Sequence, residues 1–273
     1  MLDWPAAIIY VMNQPKIPVL HALARSGSTL IARCINSLPN VAVFGELHYA
    51  ARPRYGQFNP LVQGRDWYGL IDKHELPPLE SYNFHDAIDL VVARCRERQV
   101  QPVLRDWNHR DFMIEGRASR ASFKTARRIV NRYPLQQIAL TRHPISQWLS
   151  FQNFEPLRNR YTVKDFMRGY LAYANQCRDL PVIRYEDFCA EPEQTMKVIC
   201  THTGLVYDPE FISRWPANRN VTGDLGSGSR GDQMTVIQKL RSRSIPSQIQ
   251  AEFEDAPGYR EALEIFDYDL TPH

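Results

Sequence analysis

Residues 18–38 read Pro18-Val-Leu-His-Ala-Leu-Ala-Arg-Ser-Gly-Ser-Thr-Leu-Ile-Ala-Arg-Cys-Ile-Asn-Ser-Leu38. The first six residues form a short, mostly apolar run, which is typical of a strand buried inside a parallel sheet. From Ser28 to Leu38 the apolar residues recur every three or four positions, and this spacing predicts a helix. A strand, a short polar loop and a helix therefore follow one another directly.

The loop between them, Ala24-Arg-Ser-Gly-Ser-Thr29, has the composition of an anion-binding site. Backbone N–H groups are unpaired at the start of a helix, and the helix dipole makes this end positive. Gly27 allows a ligand to approach the backbone closely, while Arg25 and the hydroxyls of Ser26, Ser28 and Thr29 add donors. The loop is not a Walker A motif, because no Gly-Lys-[Ser/Thr] follows. A plain turn with serine as the helix cap is the alternative.

The rest of the chain continues the alternation of short apolar runs with longer amphipathic ones. This order predicts an α/β fold with a central parallel sheet of about five strands flanked by helices. The predicted strands are 18–23, 41–44, 102–106, 136–140 and 181–184, and the predicted helices are 28–38, 86–99, 120–131, 144–152, 163–177 and 191–203. In such sheets ligands bind beyond the carboxyl ends of the strands, where loops 24–29, 45–48, 106–110 and 141–144 should meet.

Bulk composition narrows the classes of protein that fit. With 273 residues, 44% of them hydrophobic, we expect one domain over 1–273, with segments at about 49–85 and 212–245 serving as lid or cap. A net charge of +3 without a long basic run argues against nucleic-acid binding. Five widely spaced cysteines lack any metal-ligand spacing and predict buried free thiols in a reducing compartment. The oligomeric state stays open.

The N-terminal segment predicts neither a membrane span nor a secretory signal. Its apolar run, residues 6–12, is too short to cross a bilayer, and Asp3 stands where a signal peptide carries basic residues. We therefore expect a cytoplasmic protein without an integral membrane segment.

A second candidate anion site follows the fourth predicted strand, in Leu140-Thr-Arg-His-Pro-Ile-Ser-Gln-Trp-Leu-Ser-Phe151. Arg142 stands at the strand end, and Ser150 comes eight residues later, about two turns into the helix that Pro144 opens. Both side chains can therefore face one ligand group, and a guanidinium with a hydroxyl suits a phosphate.

Together these motifs resemble PAPS-dependent sulfotransferases of the bacterial type. Arg-Ser-Gly-Ser-Thr is similar to the family's 5′-phosphosulfate loop, and Arg142 with Ser150 matches its 3′-phosphate motif. The resemblance runs from about Val19 to Phe211 and includes Arg184-Tyr-Glu-Asp-Phe188, Glu191-Pro192 and Gly204-Leu205. It implies a P-loop-kinase-like sulfotransferase fold that uses 3′-phosphoadenosine-5′-phosphosulfate (PAPS), releases 3′-phosphoadenosine-5′-phosphate (PAP) and needs no metal. Eukaryotic cytosolic members carry lysine where this chain has Arg25, and arginine stays charged, so proton donation from this position is not expected.

The same resemblance implies two candidates for the general base. A glutamate in the position of Glu46 is the base in several bacterial and heparan-type relatives, while cytosolic small-molecule enzymes place a catalytic histidine where this chain has His109. An unperturbed imidazole titrates near neutrality, whereas a glutamate must be buried to do so. Either residue, or both, could serve, with His48 and Asp106 as orienting partners.

Near the C-terminus, Gly226-Ser-Gly-Ser-Arg-Gly231 fits the pattern G-x-G-x-x-G. No strand precedes it and no βαβ unit surrounds it, so it is not a dinucleotide fingerprint. In a sulfotransferase a late loop of this composition closes over the 3′-phosphate, which makes Ser227, Ser229 and Arg230 cofactor-binding candidates. A loop without a ligand is the alternative.

Two other functions fit part of the pattern. A P-loop-like nucleotide kinase or NTPase would share the strand–loop–helix start and could hold Mg²⁺ with Asp106, but the chain lacks the motif's lysine. A non-catalytic nucleotide-binding protein would keep the loops without the base. The resemblance to sulfotransferases implies that the acceptor is a hydroxyl or amine of a small molecule, such as a natural product or a sugar, and the sequence does not choose among phenol, alcohol, amine and glycan.

Overall fold

The computed structural model describes residues 14–50, 56–114, 121–223, 235–238 and 244–272. Within these ranges a parallel sheet of five strands, in the order β2-β3-β1-β4-β5, is flanked by helices. The predicted α/β class and strand number are therefore confirmed. The strands are β1 Ile17–Ala22, β2 Val41–Leu47, β3 Gln101–Trp107, β4 Leu135–Thr141 and β5 Val182–Arg184.

Eleven α-helices lie in the described part of the chain. They are α1 Ser28–Ile35, α2 Pro60–Asp66, α3 Phe84–Glu97, α4 Lys124–Ile129, α5 Pro144–Gln152, α6 Val163–Cys177, α7 Tyr185–Ala190, α8 Pro192–Thr203, α9 Phe211–Arg214, α10 Ser247–Glu254 and α11 Tyr259–Phe266. None of these helices combines the length and the apolar character needed to cross a bilayer.

Strand β1 lies at the centre of the sheet because its residues suit burial on both faces. All six of its residues are buried, and it pairs with β3 on one side and β4 on the other. A strand in this position has no solvent-facing side, so it reads as a continuous apolar run rather than an alternating one. The loop that follows β1 is thereby placed between the ends of β3 and β4.

Apolar side chains cover both faces of the sheet. On one face, α5, α6, α10 and α11 pack around a cluster rich in aromatic rings that includes Phe166, Tyr170 and Tyr173. On the other face, α1, α8 and α9 pack on β1 and β4 through residues such as Ile31 and Ile199. All five cysteines are buried and free, as predicted.

The structure departs from the prediction mainly at element ends and in polar segments. Helix α1 ends at Ile35 rather than Leu38, because the N–H groups of Ser37 and Leu38 donate to carbonyls three residues earlier, and the Asn36 side chain accepts from Val43 N. A turn of π-helix at Arg110–Ile114 and helices α2, α7, α9, α10 and α11 were not predicted. Asp111 is a buried acid inside this π-turn, and its contacts come from distant residues.

Candidate active site

The loop after β1 adopts a backbone conformation suited to binding an anion. Arg25 and Gly27 both have positive φ, at 62° and 85°, so the chain turns sharply before α1 begins. The N-cap residue, Gly27, has no side chain that could cap the first turn of α1, so this residue leaves the N–H groups of that turn available. Ser26 is buried, and its Oγ has no hydrogen-bond partner among the described residues. This hydroxyl can therefore donate to an anion that binds in the loop.

Gly27 is required here for space as well as for conformation. A Cβ atom at this position would lie 2.1 Å from Cδ2 of Tyr185, the first residue of α7. The same tyrosine ring lies 4.8 Å from the guanidinium carbon of Arg142. The Tyr185 ring therefore packs against Gly27 of the first motif and holds Arg142 of the second by a cation–π contact.

The two motifs that the sequence predicts to bind anions come together in the structure. Arg25 Nε donates a hydrogen bond of 3.1 Å to Ser150 Oγ, although 125 residues separate them in the sequence. The Arg25 guanidinium also lies 4.8 Å from the centroid of the Phe154 ring. Arg142 is held through its backbone, since the Tyr170 hydroxyl donates to the Arg142 carbonyl at 2.8 Å. Its Nε is buried and has no partner among the described residues.

Glu46 occupies an unusual backbone position at the end of β2. Its φ is 50°, and the register between β2 and β3 shifts between Phe44 and Leu47. Irregularities of this kind re-aim a side chain at the edge of a sheet, and a non-glycine residue at positive φ persists only where its surroundings hold it. The Glu46 side chain is 24% exposed, and Oε1 lies 3.5 Å from Arg105 Nη2. The carboxylate is therefore open to a ligand while one oxygen contacts a cation.

His109 lies in a different environment. It is 4% exposed, its Nε2 lies 3.3 Å from the Tyr161 hydroxyl, and its ring packs against Phe151. Nδ1 has no hydrogen-bond partner among the described residues. Burial, and to a smaller extent the charge of Arg160, lowers the pKa of His109 to about 3. The imidazole is therefore neutral at physiological pH.

The two residues considered as orienting partners pair elsewhere. His48 Nε2 lies 3.1 Å from Asp111 Oδ1, and burial raises the pKa of this aspartate despite the contact. Asp106 Oδ2 accepts a hydrogen bond from Asn108 and lies 3.3 Å from His21 Nδ1. These contacts stabilise the ends of β2 and β3.

Comparison with known proteins identifies the family of this chain. The model of the sulfotransferase family matches residues 19–209, which is most of the chain and close to the stretch expected from the motifs. The chain belongs to the sulfotransferase family. No curated protein sequence matches it.

Two solved structures share the fold of this sulfotransferase. One is the sulfotransferase domain of the Synechococcus PCC 7002 olefin synthase, with a TM-score of 0.61, 17% identity, and coverage of 95% of this chain and 97% of that one. The other is the sulfotransferase domain of the curacin biosynthetic pathway, with a TM-score of 0.60, 13% identity, and coverage of 94% and 99%. At these identities the likeness establishes the fold.

The candidate site contains residues that the sequence analysis did not single out. Arg105 donates to Thr29 Oγ1 at 3.2 Å and to the carbonyl of Thr222, as well as contacting Glu46. An arginine inside an apolar strand run is a signal that could have identified Arg105, because charged side chains are almost never fully buried without partners. Thr222 carried no such signal. The candidates Ser227, Ser229 and Arg230 lie outside the described residues and stay predictions.

The burial of His109 predicts a pH dependence of stability. Its pKa is lower in the folded protein than in the unfolded chain, so the unfolded state binds the extra proton between about pH 6.5 and 3. The free energy of unfolding should therefore fall as the pH falls below about 6.5, at about 1 kcal/mol per unit for this group. His109→Gln, measured by urea unfolding at pH 7, 6 and 5, should show a shallower decline than the wild type. His74→Gln, which changes an exposed histidine, should leave the decline as it is; an equal decline in His109→Gln would contradict the assignment.

Proposed function

We propose that this chain transfers the sulfuryl group of PAPS to a hydroxyl or amine of a small-molecule acceptor. The observation that carries the proposal is the hydrogen bond between Arg25 and Ser150, with Arg142 nearby on the other side of Tyr185. It joins the loop that resembles the 5′-phosphosulfate site with the motif that resembles the 3′-phosphate site. Arg25 and Arg142, together with the hydroxyls of Ser26 and Ser150, then bind a ligand that carries two anionic groups.

Unsatisfied polar atoms support the fit to such a ligand. Ser26 Oγ and Arg142 Nε are buried without partners among the described residues, and each belongs to one of the two motifs. Burying a donor without a partner costs about 1–3 kcal/mol, and a bound anion would remove this cost at both atoms. Phosphate oxygens are strong acceptors for both groups. The residues present therefore fit the 5′- and 3′-phosphates of PAPS.

The reaction places specific demands on the chain. The acceptor oxygen or nitrogen forms a bond to sulfur, the bond from sulfur to the 5′-phosphate oxygen breaks, and PAP leaves. As in phosphoryl transfer, the protein contributes positioning and stabilisation of the charge that grows on the leaving oxygen. Arg25 and the N–H groups of α1 supply this stabilisation, and Arg25 does so with a permanent charge.

The acceptor must also lose a proton, and we assign its removal to Glu46. A general base has to come within about 3 Å of the proton, directly or through one water. The Glu46 carboxylate is partly exposed at the carboxyl end of β2, whereas His109 is enclosed by Phe151 and Tyr161 and has a strongly lowered pKa. His109 then supports the site from beneath as a neutral, packed side chain.

Aromatic side chains support a small-molecule acceptor. Trp107 ends β3 two residues after Arg105, and side chains two apart on a strand point to the same face. The Phe58 ring stacks on Trp107 with centroids 5.3 Å apart and an angle of 14°. Both rings are partly exposed, so they offer an apolar surface at the sheet edge that also carries Glu46.

Ligand-dependent melting tests the donor assignment. PAP at about a hundred times its Kd should raise the free energy of unfolding by about 2.7 kcal/mol and the Tm by several degrees. AMP, which lacks the 3′-phosphate, should raise the Tm less at equal concentration. In Arg142→Ala the advantage of PAP over AMP should shrink, while Arg94→Gln, which removes an arginine paired with Glu75 and Glu97 on the surface, should keep it.

Equal shifts with PAP and AMP in the wild-type protein would contradict the donor assignment. A larger shift with ATP and Mg²⁺ than with PAP would instead favour a kinase or NTPase. Binding of PAP without sulfuryl transfer to any acceptor or to water would favour a non-catalytic nucleotide-binding protein.

A further inference from the structure

Arg105 is a buried arginine that contacts three separate parts of the site. It is 2% exposed and lies on β3, where the neighbouring residues Val103 and Leu104 are buried and apolar. Its guanidinium donates to Thr29 at the start of α1 and to Thr222, which lies 117 residues further along the chain, and it lies 3.5 Å from Glu46. A buried guanidinium is costly unless its donors are satisfied, so these contacts define one orientation.

Thr222 anchors the guanidinium. Arg105 Nη2 donates to the Thr222 carbonyl at 2.9 Å and to its Oγ1 at 2.6 Å. The segment leading to Thr222 is itself tied to α1, because Arg33 donates to the carbonyls of Pro216 and Asn218, each at 3.0 Å. Asn36 adds a bond to the carbonyl of Asn220. The anchor is therefore tied by hydrogen bonds to the helix that carries the loop.

Thr222 and the next residue, Gly223, pack closely against the end of β2 and the start of α1. A Cβ at Gly45, immediately before Glu46, would lie 2.5 Å from Thr222 Oγ1. A Cβ at Gly223 would lie 2.5 Å from Thr29 Oγ1. Thr222 and Gly223 thus fill the space between the end of β2 and the start of α1, and Gln63 fixes Gly45 further by bonds of 2.8 Å to its N–H and its carbonyl.

We infer that Arg105 is a positioning residue for sulfuryl transfer, which holds the Glu46 carboxylate at a set place relative to the anion-binding loop and is itself held by Thr222. The inference rests on the proposed function, in which Glu46 takes the acceptor proton. Placing a base matters for rate because a small displacement from the reacting atom forfeits most of the advantage of proximity. Arg105 thereby acts on the reaction through Glu46.

A double-mutant cycle tests this role. The variants are Arg105→Gln, Glu46→Gln and the pair, with Arg94→Gln as the matched control. Transfer of ³⁵S from labelled PAPS is measured to p-nitrophenol, octan-1-ol, hexylamine, lactose and water, and the fastest of these is used throughout. Arg105→Gln should lower kcat by about ten-fold or more with a change of less than about three-fold in the KM for PAPS. In the Glu46→Gln background the same substitution should cost less than about two-fold, because the group it positions is already gone.

Thr222 gives a second route that keeps the charge of the protein. Thr222→Val removes the hydroxyl that accepts from Arg105 and should lower kcat in the same direction, and Thr222→Ser should recover most of the loss. If Arg105→Gln fails to fold, the two Thr222 variants test the role of Arg105 in its place. Three results would overturn the inference. The first is a loss of kcat in Arg105→Gln that multiplies in full with the loss in Glu46→Gln. The others are a loss confined to KM and an unchanged kcat in both Arg105→Gln and Thr222→Val.

The outcomes separate this inference from the proposed function. Wild-type protein that neither melts higher with PAP nor releases ³⁵S from PAPS would refute the proposed function. Active protein with normal turnover in Glu46→Gln would refute the base assignment and with it the role of Arg105. If the wild type is active, Glu46→Gln is impaired, and the effect of Arg105→Gln on kcat is the same with and without Glu46→Gln, only the inference about Arg105 is refuted.

Discussion

Arg25→Ala is expected to lower kcat by about a hundred-fold to a thousand-fold, the usual effect of removing one preorganised donor from a developing negative charge. Arg25 is placed for this role by its loop, where φ is 62°, and by its hydrogen bond to Ser150. Its charge helps most when negative charge grows on the leaving oxygen, so the loss should fall on kcat more than on the KM for PAPS. Single-turnover transfer of ³⁵S from PAPS measures the step directly.

Arg142→Ala is the matched comparison, because it removes the same functional group from the other motif. A 3′-phosphate keeps its charge throughout the reaction, so Arg142 binds ground state and transition state alike and its loss should raise KM with little change in kcat. Arg25→Lys restores a cation without the Nε donor and should recover part of the rate. A normal kcat in Arg25→Ala would contradict the role that we give to Arg25.

Glu46→Gln is expected to lower turnover by about a hundred-fold or more, since general base catalysis contributes on this scale. The amide keeps the size of the side chain and can still contact Arg105, but it cannot take a proton at neutral pH. The PAP-induced rise in Tm should stay at the wild-type value, which separates a loss of basicity from a loss of donor binding.

His109→Gln decides between the two bases. Because the pKa of His109 is lowered to about 3, its titration lies well below the range in which an exposed imidazole would control the rate. Turnover of His109→Gln should therefore keep the wild-type dependence on pH between 6 and 7. An acidic limb that disappears in His109→Gln, together with normal turnover in Glu46→Gln, would transfer the base role to His109.

Much of the fold followed from local patterns. The apolar runs of β1, β3 and β4, the periodicity of α1 and α6, and Pro144 at the start of α5 predicted those elements to within a few residues. These are the segments in which burial decides the structure, so the pattern of apolar residues carries the information. The π-turn at Arg110–Ile114 and the helices after residue 244 depend on contacts with distant residues, and no local pattern announced them. The predicted single domain and its lid segments stay predictions.

The motifs of the site were also readable, because an anion-binding loop needs certain residues at certain places in the chain. Gly27 lies between a strand and a helix, and Arg142 stands eight residues before Ser150. Both arrangements are local in the sequence, and each follows directly after a strand. Their union into one site was an expectation from strand topology, and the Arg25–Ser150 hydrogen bond provides the contact.

Sequence by itself determined the sheet, the two anion-binding motifs and the family resemblance, since each of these follows from residue type and spacing over short stretches. Tertiary structure alone decided which candidate base is open to an acceptor and what holds it. Glu46 and His109 both follow strands and look equivalent in the sequence, yet packing against Phe151 and Tyr161 encloses one, while Arg105 contacts the other. Burial and charge pairing arise from residues far apart in the chain, such as Arg105 and Thr222, so only the folded arrangement specifies them.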